Sequence, residues 1–292
     1  MTLGFVDMGG GTRGIYGAGV LDYCLEAGIS GDYFIGVSAG SANGASFLAG
    51  QAGRNLVFYN DYAFRKSYMG LKNFIRSASY INLDYIYSTL SELGGEYPLD
   101  YPALMANPMA FEIVATNALT GKPVYFSKKD LAQDHYEPLK ASSCVPLLCR
   151  PYPIHGIPYF DGGLSDPLPY KRALDWGCDK LIVILTKPKD FFRDPQKDRK
   201  FVRLLRRTYP QSAKALAHRA QLYNQSLKEL LTLEKEGRAI LIAPEDTGSL
   251  KTLTQDHDQL LKLYHMGKND GEKQLASKTS WIFEKEVNLW RI

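Results

Sequence analysis

The chain has 292 residues, 45% hydrophobic and 23% charged, the balance of a folded globular protein with enough apolar material for a core without disulfide or metal staples. Its formal net charge of +4 is too small to argue for a nucleic-acid partner. Four cysteines without Cys-x-x-Cys or Cys/His spacing argue against a zinc module and read as reduced thiols.

No apolar run of about 18 residues occurs, so no transmembrane helix is expected. The N-terminus lacks the basic start and long apolar stretch of a signal peptide, and a cytoplasmic location is expected. Leu3 to Val6 reads as a short strand, followed by Gly9-Gly10-Gly11-Thr12-Arg13-Gly14. A helix then carries Val20, Leu21, Cys24 and Leu25 on one face and stops at Gly28. Tyr33 to Val37 is the next strand, and the small residues from Ala39 to Ser46 suit a helix packed close against a sheet. This order describes a βαβ unit with parallel strands.

Residues 54 to 108 are rich in aromatics, Tyr59, Tyr62, Phe64, Tyr68, Phe74, Tyr80, Tyr85 and Tyr87 among them. Short helices that cover the sheet and flank a pocket are predicted there. Phe111 to Thr116 and Pro123 to Phe126 read as a hairpin. Ile157 to Phe160 is a strand ending at Asp161-Gly162-Gly163, and Leu181 to Leu185 is a fully apolar strand of the buried parallel type. After Lys187 the composition shifts. From Lys187 to Arg219 there are eleven Lys or Arg against three Asp. A helix with Leu216, Ala220, Tyr223, Leu227 and Leu230 on one face follows, then a late strand from Ala239 to Ala243 and a helix around Leu260, Leu261 and Tyr264. The expected division is a core over 1–187 and a basic, mainly helical extension over 188–292, with the strand at 239–243 free to join the core.

Three elements can carry chemistry. Gly36-Val37-Ser38-Ala39-Gly40 is a G-x-S-x-G pattern between a predicted strand and helix, the context in which such a turn presents a nucleophilic serine. Alone, it also fits a tight turn of small residues. The Gly9–Gly14 run can turn successive backbone N–H groups into an anion-binding concavity. Gly9, Gly11 and Gly14 also spell G-x-G-x-x-G, the dinucleotide fingerprint, but that fingerprint wants an acidic residue after the second strand, where Ser38 stands. Asp161 comes just past an apolar strand, where a parallel sheet puts its catalytic groups, and could serve as a base for a serine, although Asp-Gly is also a common turn pair. A Ser-His-Asp triad through His218, His257 or His265 is disfavoured. Ser38 comes on only the second strand, and none of these histidines follows a strand.

The three elements in this order resemble the patatin-like phospholipase family. Ala141-Ser142-Ser143-Cys144-Val145-Pro146 is similar to that family's Ala-Ser-x-x-x-Pro segment, and Ala115-Thr116-Asn117 through Gly121 to Phe126 is similar to its hairpin. The resemblance covers roughly residues 3 to 187. It implies a three-layer α/β/α fold with a mostly parallel central sheet, here followed by a helical C-terminal extension. It implies a Ser-Asp dyad without histidine, with Ser38 attacking an ester carbonyl and Asp161 taking its proton. The N–H groups of Gly9, Gly10, Gly11 and Ala39 would hold the oxyanion, with Gly36, Gly40, Gly162 and Gly163 supporting the turns. Arg13 fills the family's basic loop position, where it either meets a substrate phosphate or braces the loop. The implied substrate is a lipid or lysolipid ester, with no metal or organic cofactor. The alternatives are a dinucleotide-binding protein using the Gly9–Gly14 loop and a non-enzymatic lipid-binding regulator of the same fold. The basic stretch after Lys187 suggests peripheral contact with an anionic membrane, or simply a solvated helix face.

Overall fold

Side chains alternate across a strand, and here the strands at the centre of the sheet bury both sets. Phe5, Phe34, Ile182, Ile184, Ile240 and Ile242 enter one apolar cluster, whereas Val6, Ile35, Val37, Val183 and Leu241 enter another. Two buried faces require two covering layers, and the chain supplies them. The structure is a computed structural model and describes residues 1–248, 250–278, 281 and 282.

The strands are β1 (Leu3–Asp7), β2 (Tyr33–Val37), β3 (Ala110–Asn117), β4 (Pro123–Ser127), β5 (Tyr152–Ile154), β6 (Ile157–Asp161), β7 (Lys180–Ile184) and β8 (Ala239–Ile242). They form one sheet in the order β5-β6-β3-β2-β1-β7-β8, with β4 paired to β3. β1, β2, β3, β7 and β8 run parallel. The helices are α1 (Ile15–Glu26), α2 (Ala39–Leu48), α3 (Arg54–Asn60), α4 (Leu71–Ser77), α5 (Tyr101–Ala106), α6 (Glu137–Ser142), α7 (Tyr170–Trp176), α8 (Arg199–Leu205), α9 (Pro210–Lys235) and α10 (His257–Leu275). α1, α2 and α10 cover the first face. α7 and the second half of α9 cover the other, giving the three-layer α/β/α fold. All five apolar positions predicted to share a face of α9 are buried.

One expectation is corrected. Asp161 does not sit at the end of a parallel strand, because β6 runs antiparallel to β3. β4 occupies one edge of β3 from Glu112 to Thr116. β2 and β6 therefore share the other edge end to end, Val37 opposite Val114 and Asp161 opposite Ala115. Two strands approaching head-on thus bring residue 38 and residue 161 together. β5 was not anticipated, since three residues containing Pro153 carry too little pattern.

The part after residue 187 is built into the layers. β8 pairs with β7 from Leu181↔Ala239 to Ile184↔Ile242. α10 lies on α1 at backbone contact: a Cβ on Gly19 would overlap the Tyr264 carbonyl, and one on Gly267 the Tyr16 carbonyl. Tyr16 donates to Asp270 and Tyr264 to Asp22, each at 2.7 Å, and pins the crossing. Gly267→Ala should therefore cost about 1–3 kcal/mol by overpacking, read as a shifted denaturation midpoint. An unchanged midpoint would contradict this contact.

Candidate active site

Ser38 leaves β2 with φ 55 and ψ −125, a backbone region that non-glycine residues rarely occupy and that costs about 1–3 kcal/mol. Its surroundings hold it there. The Ser38 N–H donates to Ser142 Oγ at 2.8 Å, and Ser41 Oγ donates to the Ser38 carbonyl at 2.6 Å. Ser142 ends α6, so the segment resembling Ala-Ser-x-x-x-Pro is a support for this turn. Gly40 is needed because a Cβ there would overlap the Asp7 carbonyl.

Asp161 is fastened on both sides of its peptide. Its N–H donates to the Cys144 carbonyl and its carbonyl accepts from Thr116 Oγ1, each at 2.8 Å. Its carboxylate accepts from the Gly163 N–H at 2.8 Å and shares a cleft with Ser38. Burial raises its pKa above the ordinary carboxylate value. The neighbouring Ser38 side chain, the Gly163 hydrogen bond and the charges of Arg219 and Arg193 oppose that rise.

The glycine loop follows β1. Gly9, Gly10 and Gly11 all have positive φ, at 61°, 136° and 62°. The residue that organises them is Asp7, which is 0% exposed. Asp7 Oδ1 accepts from the Gly9 N–H at 2.9 Å, and Oδ2 accepts from Asn43 Nδ2 at 3.0 Å. Asn43 also donates to the Gly14 carbonyl at 2.9 Å and accepts from the Tyr59 hydroxyl at 3.1 Å. One carboxylate thus ties the loop to α2. Its pKa is raised to about 6 by burial, against the lowering effect of Asn43 and Gly9.

The predicted site residues fall into different positions. Because the Gly9 N–H is engaged by Asp7, Gly9 is not a free donor. The N–H groups of Gly10, Gly11 and Ala39 have no hydrogen-bond partner among the described residues. Arg13 is buried and donates through Nη1 to Thr252 Oγ1 at 3.1 Å, so it braces the loop against a distant segment rather than through local carbonyls. The Thr252 carbonyl accepts from the Thr12 N–H at 2.8 Å and lies where a Cβ on Gly11 would fall. All five histidines are exposed and none lines the clefts at Ser38. Among the described residues no cluster of His, Cys, Asp or Glu could hold a metal.

Two clefts meet at Ser38. One, of about 810 Å³, is walled by Phe58, Tyr59, Met69, Ile81, Ile86 and Tyr87. The other, of about 1120 Å³, holds Asp161 and Gly10 with Arg13, Arg193 and Arg219. The aromatic stretch thus flanks a pocket, as its composition suggested. Asp7, Asn43, Thr252 and Arg193 escaped the sequence reading, and Ser142 entered it only within the Ala141–Pro146 segment, without a role. Of the four, only Asp7 left a signal, an acidic residue closing an otherwise apolar strand just ahead of the glycine run.

Asp7 yields a pH prediction. A carboxyl whose folded pKa is raised contributes most stability while protonated, and that contribution falls as pH rises from about 4 to about 6. The unfolding free energy of wild type relative to Asp7→Asn should therefore drop by about 3 kcal/mol between pH 3 and pH 7. Denaturant titrations across that range check it, and a difference independent of pH would refute it.

The model of the patatin-like phospholipase family matches residues 8–174, and that of a domain of unknown function (DUF6363) matches residues 209–283. The uncharacterized Escherichia coli protein YjjU is 31% identical over 193 residues, 64% of this chain and 53% of its own. An uncharacterized NTE family protein of Mycobacterium tuberculosis is 27% identical over 175 residues, 60% of this chain and 46% of its own. The matches thus span about half the length of these relatives. The crystal structure of VipD from Legionella pneumophila aligns with a TM-score of 0.48 at 16% identity, over 94% of this chain and 67% of that one.

Proposed function

This chain belongs to the patatin-like phospholipase family, and on that footing we propose that it is a serine acyl hydrolase that cleaves carboxylic esters of lipids. The observation that carries the reading is one cleft that gathers Ser38 on its strained turn, the buried Asp161 carboxylate and the unpartnered N–H groups of Gly10 and Gly11. Ser38 attacks the ester carbonyl while Asp161 takes its proton and passes it to the departing alcohol. An acyl group remains on Ser38 until water, deprotonated by Asp161, releases the acid. The N–H groups of Gly10, Gly11 and Ala39 stabilise the oxyanion, helped by the positive end of α2. Burial makes Asp161 a stronger base than a solvated aspartate. The apolar cleft suits an acyl chain.

A fluorophosphonate probe should label wild type and not Ser38→Ala. Asp161→Asn should lower p-nitrophenyl ester hydrolysis by roughly 10²–10⁴ with an unchanged melting curve. Since the base must be ionised, the rate should fall as pH drops through the Asp161 pKa, at a pH above the ordinary carboxylate value of 3.8. Retained turnover in Asp161→Asn removes Asp161 from the mechanism.

Peripheral contact with a membrane is part of this proposal. No helix among the described residues is long and apolar enough to cross a bilayer. α4, in the segment between the cleft-lining residues Met69 and Ile81, leaves Leu71 72% and Ile75 84% exposed, next to Lys72 and Arg76. Wild type should sediment with phosphatidylglycerol vesicles at low salt, and Leu71→Ser/Ile75→Ser should sediment several-fold less. Equal sedimentation of the two proteins would exclude α4 as the contact.

A further inference from the structure

The apolar cleft at Ser38 contains a charge that an ordinary fatty acyl chain leaves unmatched. Among the described residues that line it, Arg54 alone is charged, and no Asp or Glu lines it. Arg54 is 5% exposed. Its Nη1 donates to Ser46 Oγ at 3.0 Å, and its Nη2 donates to Ser91 Oγ at 2.8 Å and to the Tyr97 carbonyl at 3.0 Å. Its Nε is buried and has no partner among the described residues. The guanidinium carbon lies 4.3 Å from the centroid of the Phe58 ring. All of these partners are neutral. Burial pushes the Arg54 pKa down to about 10, and the ionisable groups that act on its charge are tyrosines rather than carboxylates.

Helix α2 sets how far this charge stands from the nucleophile. It starts directly after Ser38, and its Ala39 and Ala42 line the cleft. Ser46 follows Ala42 on the same helix face. Ser46 lies eight residues beyond Ser38, about 12 Å along the helix axis. Because the Ser46 hydroxyl accepts from Arg54, the guanidinium marks the far end of the cleft. A buried charge without a counter-ion is costly, and a carboxylate beside it offsets that cost. A charge-assisted hydrogen bond to a guanidinium is short and strong. A methyl end in the same place would leave Nε unpaired and shut water out. Sites with a buried donor discriminate strongly against ligands that lack its acceptor.

We propose that the apolar cleft selects acyl chains that carry a carboxylate at their far end, the half-esters of medium-length dicarboxylic acids, and that Arg54 binds this carboxylate. This rests on the acyl hydrolase reading and adds the chemistry of the acyl group to it. The ester carbonyl lies at Ser38, the methylenes run past Ala42 and Phe58, and the carboxylate accepts from Arg54 Nε. The alcohol side of the ester takes no part in this selection.

The test compares kcat/KM for mono-p-nitrophenyl sebacate and p-nitrophenyl decanoate, which share chain length and leaving group and differ by a terminal carboxylate in place of a methyl. Their ratio cancels any general loss of activity. It should exceed one in wild type, fall roughly ten- to hundredfold in Arg54→Met, as expected for one lost charge-assisted contact, and recover in part in Arg54→Lys. A shorter pair, mono-p-nitrophenyl adipate and p-nitrophenyl hexanoate, needs no substitution. Its carboxylate stops short of Arg54, so its ratio in wild type should be at least about tenfold lower. A sebacate ratio at or below one, equal ratios for the two pairs, or an unchanged ratio in a folded Arg54→Met protein overturns the proposal. A binding arm by calorimetry needs no turnover and so separates this failure from failure of the hydrolase reading. Monomethyl sebacate should bind Ser38→Ala at least about tenfold more tightly than Ser38→Ala/Arg54→Met. Equal affinities overturn the assignment. So does an affinity lost in Ser38→Ala/Arg193→Gln instead, which would put the carboxylate in the second cleft.

Discussion

A single buried carboxylate holds the centre of this molecule together. Asp7 lies at the end of β1, wholly excluded from solvent, and offers one oxygen to the glycine loop and the other to Asn43 on α2. Leaving such a group unpaired would be expensive, so its two partners are fixed as firmly as the carboxylate is. That is why Gly9 spends its N–H on Asp7 while the next two residues keep theirs free, and why α2 starts beside the loop. Gly17 on α1 leaves room for the carboxylate, since a Cβ there would press on its oxygen. Loop, elbow and first helix are therefore one interlocked unit.

The second constraint is the shared edge of β3. With β4 on its other side, β3 offers one edge to β2 for its first residues and to β6 for its last, and the two strands meet end to end. Ser38 and Asp161 come from residues 123 positions apart, yet their backbones are placed by ladder pairs on consecutive residues of one strand. Backbone registers are stiff, so the pair is preorganised. Side-chain supports finish the placement: Ser142 holds the strained serine turn and Thr116 the Asp161 carbonyl. Preorganisation of this kind is what transition-state stabilisation requires.

The later part of the chain shapes the site without supplying its central pair. Thr252 closes over the glycine loop, accepting from Thr12 and Arg13. Arg193 and Arg219 turn into the second cleft, so part of the basic stretch faces inward rather than toward solvent. The result is a site with an apolar wall on one side and a cationic wall on the other.

The sequence by itself determined every strand but β5, the helices with a clear period and the three glycine-bearing motifs. These are local matters: alternation, spacing and the backbone freedom of glycine act within a few residues. It determined the family resemblance as well, because the motifs keep their order along the chain. Only the tertiary structure decided that β6 enters antiparallel, that Gly9 is bound to Asp7, and that residues 193, 219 and 252 border the site. Each of these depends on contacts between segments far apart in the chain, and such contacts leave no periodic trace. Asp7 shows the boundary clearly. Its acidity was plain in the sequence, but its role comes from burial, and burial belongs to the assembled fold.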